Sequence, residues 1–432
     1  MKKRVIFGVF IVCLAALLTA ACGGKTASPS AAAPQAPAAS AASGSINEHP
    51  IYALTDKIEL SGVMKPILDD RSGIKKSLPA PQKKNVVIGW AAPTLSNTYF
   101  VGVQKGAQAR SSEYGYTLKY LVASDFNVTK MSADIESLIT QKVDVLVVDP
   151  CDTQSQALDI QRAVDAGIPV IASGVPLAST EPVITTVVSN NYEGGYSTGA
   201  YCGDYFTGPL DTAIIMGAMG HPVSDSRVCG FLGGFTYARW KAAGKDVTRR
   251  EDAMLHGYEL FQTLRSNGKV ADSETGLNVV SVGFGNWNDI EGMAAAEDIV
   301  TANPNIKLIF AENDHMGMGA RQALEGRGIQ DNIKIAAAAD GDTKGIEQVR
   351  DGKLLTTGYN CAPAIGSRVI DIVHMIFEEG YDANNLPMIT GLPVICVTKD
   401  NYQEVYDPNS EYAKALDIPI RTISEINAGA SK

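Results

Sequence analysis

Residues 143–172 read VDVLVVDPCDTQSQALDIQRAVDAGIPVIA, in which two short apolar runs flank a longer amphipathic stretch. The runs Val143–Val148 and Ile168–Ala172 have the length and the β-branched content of strands, and Thr153–Ala166 has the length of a helix. Strands that are apolar throughout are typical of parallel sheets with both faces covered. This stretch therefore predicts a strand–helix–strand unit with a right-handed crossover.

The same alternation of strand and helix patterns runs through most of the chain. Another predicted helix spans Met131–Gln141, and the rhythm restarts after residue 188. The other predicted strands are Val86–Trp90, Leu118–Val122, Val183–Val188, Ala213–Met216, Val279–Val282, Ile306–Ala311 and Ile333–Ala338. Two such series predict an α/β fold with two similar lobes, each built on a doubly wound parallel sheet.

The composition is that of an ordinary folded protein. The 432 residues are 45% hydrophobic and 19% charged, and this length predicts two or three domains. With 37 basic and 47 acidic residues the net charge is −10, whereas nucleic-acid-binding proteins normally carry a basic stripe. We therefore expect no nucleic-acid partner, and beyond the extreme N-terminus no apolar run is long enough to predict a membrane span.

The N-terminus has the pattern of a secretory signal. Basic residues 2–4 precede the apolar run Val5–Leu18, and small residues follow it up to Cys22. A cysteine directly after such residues resembles a bacterial lipobox, which implies cleavage before Cys22, lipidation of Cys22 and anchoring to the cell membrane. The alternative is an ordinary signal peptide with an incidental cysteine.

Two further segments precede the repeating pattern. Residues 25–45 are mostly Ala, Pro and Ser, which bury too little apolar surface to offset the entropy of ordering, and they predict a disordered tether. Residues 46–84 contain apolar positions without a clean period, and we expect an extension that packs on the body.

The cysteines leave their pairing open. Apart from Cys13 and Cys22, the chain has Cys151, Cys202, Cys229, Cys361 and Cys396, an odd number that allows at most two disulfides. Cys202 with Cys229, or Cys361 with Cys396, are conceivable pairs, and the sequence does not choose between them. No zinc-type spacing occurs, so we expect no metal cluster.

Polar and aromatic residues gather directly after the predicted strands. Such segments are Leu95–Phe100, Asp149–Asp152, Ser173–Pro176, Gly217–Pro222, Gly285–Asp289, Glu312–Asp314, Asp340–Asp342 and Gly358–Asn360. In open parallel sheets, ligands bind beyond the carboxyl ends of the strands. With two lobes, those ends can face each other across a cleft.

From about Asn85 to Thr398 the chain resembles the type I periplasmic sugar-binding proteins of the ribose and glucose/galactose kind, the solute receptors of ABC importers. The segments that carry the resemblance are Leu95–Phe100 (L-x-N-P-F-F in the family), Val164–Ile171 (A-x-x-A-G-I-P-V-I), Ile309–Ala320 (F-A-x-N-D-x-M-A-x-G-A), Ala339–Gly341 (F-D-G) and Pro363–Gly366 (P-x-x-x-G). The ordered set is specific, although each motif alone is weak.

The resemblance implies a domain organisation with a three-stranded hinge. The implied parts are a signal peptide (1–21), a lipidated cysteine with a tether (22–45), an N-terminal extension (46–84), a first lobe (85–188 plus 361–394) and a second lobe (189–360 plus 395–432). The hinge crossings would fall near Val188–Asn190, Asn360–Cys361 and Val394–Val397.

The resemblance also implies the ligand contacts. They are Asn97, Tyr99, Phe100, Ser173, His221, Arg227, Trp287, Asn313, Asp340 and Asn360. Aromatic rings would stack on the apolar faces of a sugar ring, and amides and carboxylates would bond its hydroxyl groups. Bland alternatives are core packing for Tyr99, Phe100 and Trp287, a turn at Asp340, and helix capping by Asn313 or Asp314.

Three departures from the family pattern leave the sugar open. Ser173 and Gly174 stand where relatives often have Asp-Arg or Asn, and Thr98 replaces a proline. The family's second-lobe arginine has two candidate positions, because about 30 extra residues lie between 220 and 250. One register gives Arg227 with His221 before it, which we favour, and the other gives Asp252.

The implied function is capture of a simple sugar, a hexose or a pentose, by hinge closure. The chain would be a monomeric extracytoplasmic lipoprotein that needs no cofactor or metal and delivers its ligand to an ABC permease. The alternatives are a sugar sensor that signals to a membrane receptor, and a binder of a nucleoside or another small polar ligand.

An enzyme is not expected. Phosphate-loop, dinucleotide-binding and zinc-protease motifs are missing from the sequence. Residues 195–199, GYSTG, match the hydrolase pattern G-x-S-x-G, but a nucleophile elbow requires a strand that runs directly into it. Here six residues intervene and the segment has the pattern of a helix start.

Overall fold

The structure is a computed structural model that describes residue 51 and residues 83–123, 126–175 and 182–416. The predicted signal peptide, Cys22, the predicted tether and most of the predicted extension lie outside the described residues, as do residues 417–432.

Strands and helices alternate along the chain. The strands are β1 (Val87–Ala92), β2 (Thr117–Val122), β3 (Val145–Val148), β4 (Val170–Ser173), β5 (Thr186–Ser189), β6 (Leu210–Met216), β7 (Val270–Asp272), β8 (Leu277–Phe284), β9 (Leu308–Ala311), β10 (Lys334–Ala337), β11 (Thr357–Tyr359), β12 (Ile389–Leu392) and β13 (Ile395–Val397). The helices are α1 (Thr98–Tyr114), α2 (Val128–Thr140), α3 (Ala157–Asp165), α4 (Asn191–Tyr205), α5 (Pro222–Ala242), α6 (Arg250–Asn267), α7 (Asp289–Ala302), α8 (Asp314–Gly326), α9 (Thr343–Arg350), α10 (Ala362–Phe377) and α11 (Glu411–Leu416).

The first sheet has the strand order β12-β5-β4-β3-β1-β2, and all of its neighbouring pairs are parallel. The unit at residues 143–172 folds as β3, α3 and β4, with Leu146 opposite Val170. Helix α3 begins at Ala157, four residues later than expected. The side chains of Asp152 and Gln156 accept hydrogen bonds from nearby backbone N–H groups and hold a turn there instead.

The second sheet has the order β10-β9-β6-β8-β7 and is parallel except for its edge strand β7, which pairs antiparallel with β8. Strands β11 and β13 form a separate antiparallel pair. These sheets confirm the predicted α/β fold class with two parallel sheets.

Helices cover both faces of each sheet. In β3, Val145 and Val147 pack under α1 and α10, whereas Leu146 and Val148 pack under α2 and α3. In β6, Ile214 joins a core with α4, α5 and α6, and its neighbour Ile215 joins a core with α7 and α8. This alternation explains why the strands are apolar at every position.

The G-x-S-x-G segment is a helix-packing site in α4. A Cβ atom at Gly195 would lie 2.0 Å from the Arg227 carbonyl oxygen, and one at Gly199 would lie 2.0 Å from that of Phe231. The two glycines therefore let α4 and α5 approach backbone to backbone. The Ser197 hydroxyl donates to the Glu193 carbonyl oxygen at 2.7 Å within the helix.

Three segments connect the first sheet with the other strands: the segment after β5 leads to the second sheet, and the segments after β11 and between β12 and β13 join the β11–β13 pair to the first sheet. The passages are bonded to one another. Ser189 Oγ donates to the Asn360 carbonyl oxygen at 3.2 Å, and the Asn190 N–H donates to the Leu392 carbonyl oxygen at 2.9 Å. The residue ranges of the two predicted lobes stay a prediction.

The described cysteines are all free thiols, so neither conceivable disulfide forms in this structure. They are Cys151, Cys202, Cys229, Cys361 and Cys396. Within the described ranges, none of the helices is both long and apolar enough to cross a membrane.

Candidate functional site

Tyr99 lies where the carboxyl ends of the two sheets meet. It lies in the first turn of α1. The charges of Asp149 after β3, Arg227 in α5 and Asp340 after β10 all act on the pKa of its phenol. Burial raises the pKa of Tyr99, Asp149 and Asp340 raise it further, and Arg227 lowers it. Groups from both sheets therefore surround this one side chain.

The start of α1 also bonds directly to the second-sheet side. Thr98 Oγ1 donates to Asp342 Oδ2 at 2.8 Å and lies 3.1 Å from His315 Nε2. Thr98 stands where the resembling family has a proline, which has no hydroxyl group. The departure from the pattern thus creates a bond between the two sides.

Asn97 and Phe100 support Tyr99 through direct contacts. Asn97 caps α1, and its Oδ1 accepts the Tyr99 N–H at 2.8 Å. The Phe100 ring meets the Tyr99 ring edge to face, with centroids 5.3 Å apart, and meets Phe126 in the same way at 5.8 Å. Asn97, which the sequence analysis predicts as a ligand contact, is a capping residue that orients the aromatic first turn of α1.

Arg227 is a buried cation that points among polar groups. Its Nε donates to Asn191 Oδ1 at 3.0 Å and its Nη1 donates to the Glu312 carbonyl oxygen at 3.3 Å. Among the described residues, no carboxylate lies within the 4.0 Å ion-pair distance of its nitrogens. A buried guanidinium without an ion pair is costly, and the charge of Arg227 lowers the pKa of the nearby Asp340 and Glu312 carboxyl groups.

Asp252, the residue in the other register, does not reach this place. It lies on α6 with 52% of its side chain exposed and is 3.6 Å from Arg249. Of the two candidates, only Arg227 faces Tyr99 and Asp340.

His221 and Trp287 lie against each other on the second-sheet side. Their ring centroids are 4.9 Å apart and the rings are edge to face. The buried His221 Nδ1 makes no hydrogen bond within the described residues. Burial, followed by the nearby Arg227, lowers the pKa of His221 to about 4, so the imidazole is neutral at neutral pH. A neutral imidazole both donates and accepts hydrogen bonds.

Trp287 occupies its place because the facing residue has no side chain. A Cβ atom at Gly217, directly after β6, would lie 1.9 Å from Trp287 Cε2. Trp287 also has a φ of 54°, in the left-handed region that few residues other than glycine adopt. The indole is thus held in a strained turn against the end of the second sheet.

Asn313, Asp340 and Asn360 form one hydrogen-bonded network. Asn360 Oδ1 accepts the Asp340 N–H at 3.0 Å, and Asp340 Oδ2 accepts Asn313 Nδ2–H at 2.9 Å. Asn313 Nδ2 also donates to the Trp287 carbonyl oxygen at 3.2 Å, while its Oδ1 caps α8 through Met316. The capping alternative for Asn313 therefore holds, and its amide positions the neighbours.

Asp340 keeps one free oxygen. Its Oδ1 makes no hydrogen bond within the described residues, although the side chain is buried. Burial raises the pKa of Asp340, whereas the positive charge of Arg227 lowers it. Asp314, the other candidate for capping, is buried and accepts bonds from Thr357 and from the Asp342 N–H.

Ser173 ends β4 with a buried Oγ that has no partner among the described residues. The structure thus brings the ten predicted site residues to the facing ends of the two sheets, some as lining groups and some as supports. Whether they bind a ligand stays a prediction.

Sequence reasoning missed two buried carboxylates, Glu312 and Asp149. Glu312 accepts the Gly217 N–H at 2.9 Å and the Ser224 hydroxyl at 2.6 Å, which fixes the loop in front of Trp287. Burial raises the pKa of Glu312 to about 7. The available signal was an acidic residue at the end of an apolar strand, at Ala311-Glu312 and again at Val148-Asp149.

Comparison with known proteins places the chain in a family. The sequence model of the family described as periplasmic binding protein domain matches residues 88–380 of this chain. The ribose import binding protein of Bacillus subtilis (strain 168) is 26% identical over 296 residues, which are 68% of this chain and 83% of the relative. The D-apiose import binding protein of Actinobacillus succinogenes is 24% identical over 271 residues, 62% of this chain and 73% of that protein.

Solved structures show the same fold. An ABC transporter solute-binding protein from Actinobacillus succinogenes with bound D-allose has a TM-score of 0.59 and 24% identity, over 74% of this chain and 99% of that one. One from Bacillus halodurans with bound myo-inositol has a TM-score of 0.58 and 22% identity, over 76% and 99%.

The chain belongs to the periplasmic binding protein family, because the family model covers more than half of it. Its fold is the type I fold of that family, as the resemblance implied. The relatives are binding proteins, and this chain is likewise no enzyme.

Proposed function

We propose that the chain is the extracytoplasmic binding component of an ABC importer and that its ligand is a simple sugar. The observation that carries this is the set of rings and polar groups at the facing sheet ends: Tyr99 and Trp287 with Asp340, the buried Arg227 guanidinium and the neutral His221. The names of the relatives, which are import binding proteins for ribose and D-apiose, support the same class of ligand.

The arrangement suits a polyhydroxylated molecule. Apolar C–H faces of a sugar ring pack on aromatic rings, and hydroxyl groups need donors and acceptors together. Arg227 donates only, the free Asp340 oxygen accepts, and His221 does both. A pocket built on such groups rejects analogues without hydroxyl groups, since its buried polar atoms would be left unpaired.

A panel of candidate ligands tests this proposal. Purified protein is screened by thermal shift against pentoses, hexoses, inositols and nucleosides, and each hit is measured by isothermal titration calorimetry. A ligand that binds the native state raises the melting temperature. A hit confined to nucleosides, or no hit, would contradict the sugar.

Two substitutions test the site itself. Trp287→Ala and Asp340→Ala should each weaken binding of the sugar found in the screen at least about 30-fold, since buried binding groups of this kind are worth about 2 kcal/mol or more. The matched controls are Trp240→Ala, whose ring packs on His256, and Asp252→Ala on the surface of α6. Full affinity in both site variants would refute the pocket.

We further propose that the two sides close on the ligand like a hinge. The three bonded passages near Ser189, Asn360 and Leu392 are the natural axis, because within the described residues they alone connect the first sheet with the second sheet and the β11–β13 pair. A ligand shifts such an equilibrium only through its higher affinity for the closed state. Small-angle scattering should show a smaller radius of gyration once the sugar is added, and an unchanged radius would contradict closure.

The N-terminal pattern supports the proposal that the mature chain is held to the membrane by lipid on Cys22. In the native host, Cys22→Ser should prevent labelling with radioactive palmitate and release the protein from the membrane fraction. Wild-type protein that takes up no label would instead favour an ordinary signal peptide.

A further inference from the structure

The loop after β6 supports both rings on the second-sheet side of the site. It runs from Gly217 to His221, and its first residue lies against the Trp287 indole, because a Cβ atom at Gly217 would be 1.9 Å from Trp287 Cε2. Its last residue is His221, whose ring centroid lies 4.9 Å from that of Trp287. A shift of this loop would therefore move two predicted ligand contacts together.

Two buried side chains hold the loop in place. Glu312 Oε2 accepts the Gly217 N–H at 2.9 Å, and the Ser224 hydroxyl lies 2.6 Å from both Glu312 carboxylate oxygens. Ser224 Oγ in turn accepts the Ala218 N–H at 3.1 Å. Because Glu312 and Ser224 are fully buried, the attachment of the loop depends on this carboxyl group rather than on solvent.

The groups around Glu312 fit its ionised form. A carboxylate only accepts hydrogen bonds, and here it receives a backbone N–H and a hydroxyl group. The 2.6 Å distance to Ser224 is in the range of a charge-assisted O–H···O⁻ bond, which is roughly twice as strong as a neutral one. Protonation of Glu312 replaces that bond by a neutral one and so weakens the attachment of the loop.

Glu312 changes its charge in the neutral range. Burial raises its pKa to about 7, although the hydrogen bonds from Ser224 and Gly217 act in the opposite direction. Glu312 also stands at the variable position of the motif F-A-x-N-D, so the family pattern gives it no role. Its effect on the loop is therefore a property of this chain.

Charged groups face Glu312 from more than one element. On α5, the Arg227 charge lowers the pKa of Glu312 and the Asp225 charge raises it, and Asp225 lies 3.9 Å from Arg265 of α6. The other titratable groups around the loop are His221 after β6, Asp314 in α8 and Asp340 after β10. Because these groups titrate as well, an effect of Glu312 is measured as a difference from a variant that lacks its charge.

We propose that Glu312 is a positioning residue for the ligand, whose carboxylate holds the loop from Gly217 to His221 in the form that binds the sugar and whose protonation weakens binding. This rests on the proposed function and goes beyond it, since Glu312 acts through Trp287 and His221. If binding favours the ionised form, the complex releases a proton that the free protein holds.

The first test is the dependence of affinity on pH. Calorimetry of the wild type with the sugar from the screen should give about 3- to 10-fold weaker binding at pH 6 than at pH 8. Glu312→Gln keeps the size of the side chain and resembles the neutral form, so it should bind at pH 8 about as weakly as the wild type at pH 6. The control Glu136→Gln, whose side chain is 59% exposed on α2, should keep the wild-type profile.

A second variant shifts the profile instead of removing it. The Ser224 hydroxyl lowers the pKa of Glu312, so Ser224→Ala should move the midpoint of the affinity profile to higher pH. The same relative change with pH in wild type and Glu312→Gln overturns the proposal. A wild-type affinity that falls relative to Glu312→Gln as the pH rises overturns it too.

The fluorescence of Trp287 tests the positioning without any ligand. The chain has three tryptophans, and the difference between wild type and Trp287→Phe isolates the emission of this one. It should change with a midpoint near pH 7, far from the pKa of about 4 of His221, and the same difference in a Glu312→Gln background should stay constant. If the wild type binds no sugar, the proposed function fails, whereas an emission that does not change around pH 7 overturns the positioning role of Glu312.

Discussion

At the scale of single residues, Gly217 controls the position of Trp287. A Cβ atom at this glycine would overlap the indole, with 1.9 Å to Cε2, and the residue is fixed by the hydrogen bond from its N–H to Glu312. Because this hydrogen bond holds the backbone at Gly217, we expect the Trp287 ring to move if a methyl group is added.

We expect Gly217→Ala to displace Trp287 and to weaken binding of the sugar at least about 10-fold, with a loss of about 1–3 kcal/mol in the free energy of unfolding from overpacking. Calorimetry and urea unfolding measure the two effects. Gly326→Ala is the control, since a Cβ atom there meets no atom within 4 Å. Equal losses in both variants would contradict the role of Gly217.

Glu312 predicts a dependence of stability on pH. Burial raises its pKa from 4.5 to about 7 in the folded protein. Between these values the folded state keeps a proton that the unfolded state has released, so the contribution is full below pH 4.5 and is lost as the pH rises through 7. The loss is about 3 kcal/mol in the free energy of unfolding.

The change from pH 4.5 to pH 8 should therefore reduce the free energy of unfolding of the wild type by about 3 kcal/mol more than that of Glu312→Gln. Urea unfolding at both pH values measures this difference of differences, in which all other titrating groups, His221 included, cancel. If wild type and Glu312→Gln lose the same free energy of unfolding between the two pH values, Glu312 is not the group responsible.

The sequence revealed residue types at the site more readily than their roles. Asn97 and Asn313 each precede a helix, and a ligand contact and a helix cap give the same pattern there. An acidic residue after an apolar strand is a weak signal for a buried carboxylate such as Asp149 or Glu312, because these residues contact Gly174 and Gly217, which lie far away in the chain.

At the scale of elements, strands inside continuous apolar runs were predictable and strands outside such runs were not. Strand β3 is apolar at each of its four buried positions, and the last four residues of β6 are apolar and buried as well. Strands β7, β12 and β13 have three or four residues, which is too few for a period. Their pairing is decided by tertiary contacts.

The contact of α4 with α5 is sensitive to the addition of a single methyl group. Gly199→Ala places a methyl carbon 2.0 Å from the Phe231 carbonyl oxygen, and we expect it to reduce the free energy of unfolding by about 2 kcal/mol or more. Urea unfolding measures this, again beside Gly326→Ala. Because Arg227 lies on α5, affinity for the sugar should fall as well. A stable Gly199→Ala protein would show that the helices separate easily.

At the scale of the whole molecule, Thr98 joins the two sides of the site. Its hydroxyl donates to Asp342 at 2.8 Å and contacts His315 at 3.1 Å, so it connects α1 on the first sheet with the loop after β10 on the second. Such a bond exists only while the two sides are near each other.

Thr98→Val keeps the shape of the side chain and removes this bond. If closure accompanies binding, affinity for the sugar should fall about fivefold, the worth of one hydrogen bond near the surface. The control Thr263→Val removes a hydroxyl that bonds only within α6. Calorimetry measures both, and unchanged affinity in Thr98→Val would mean that the bond plays no part in closure.

The strand order of the first sheet sets the order in which its parts become available. Strands β1 to β5 lie between residues 87 and 189, but the edge strand β12 begins at Ile389, after every strand of the second sheet. During synthesis and export, which start at the N-terminus, the edge of β5 stays uncovered until β12 is made, whereas the second sheet can already assemble. An uncovered edge can pair with other chains. We therefore expect a polypeptide that stops just after Tyr359 to aggregate or to be degraded rather than to accumulate as a folded protein.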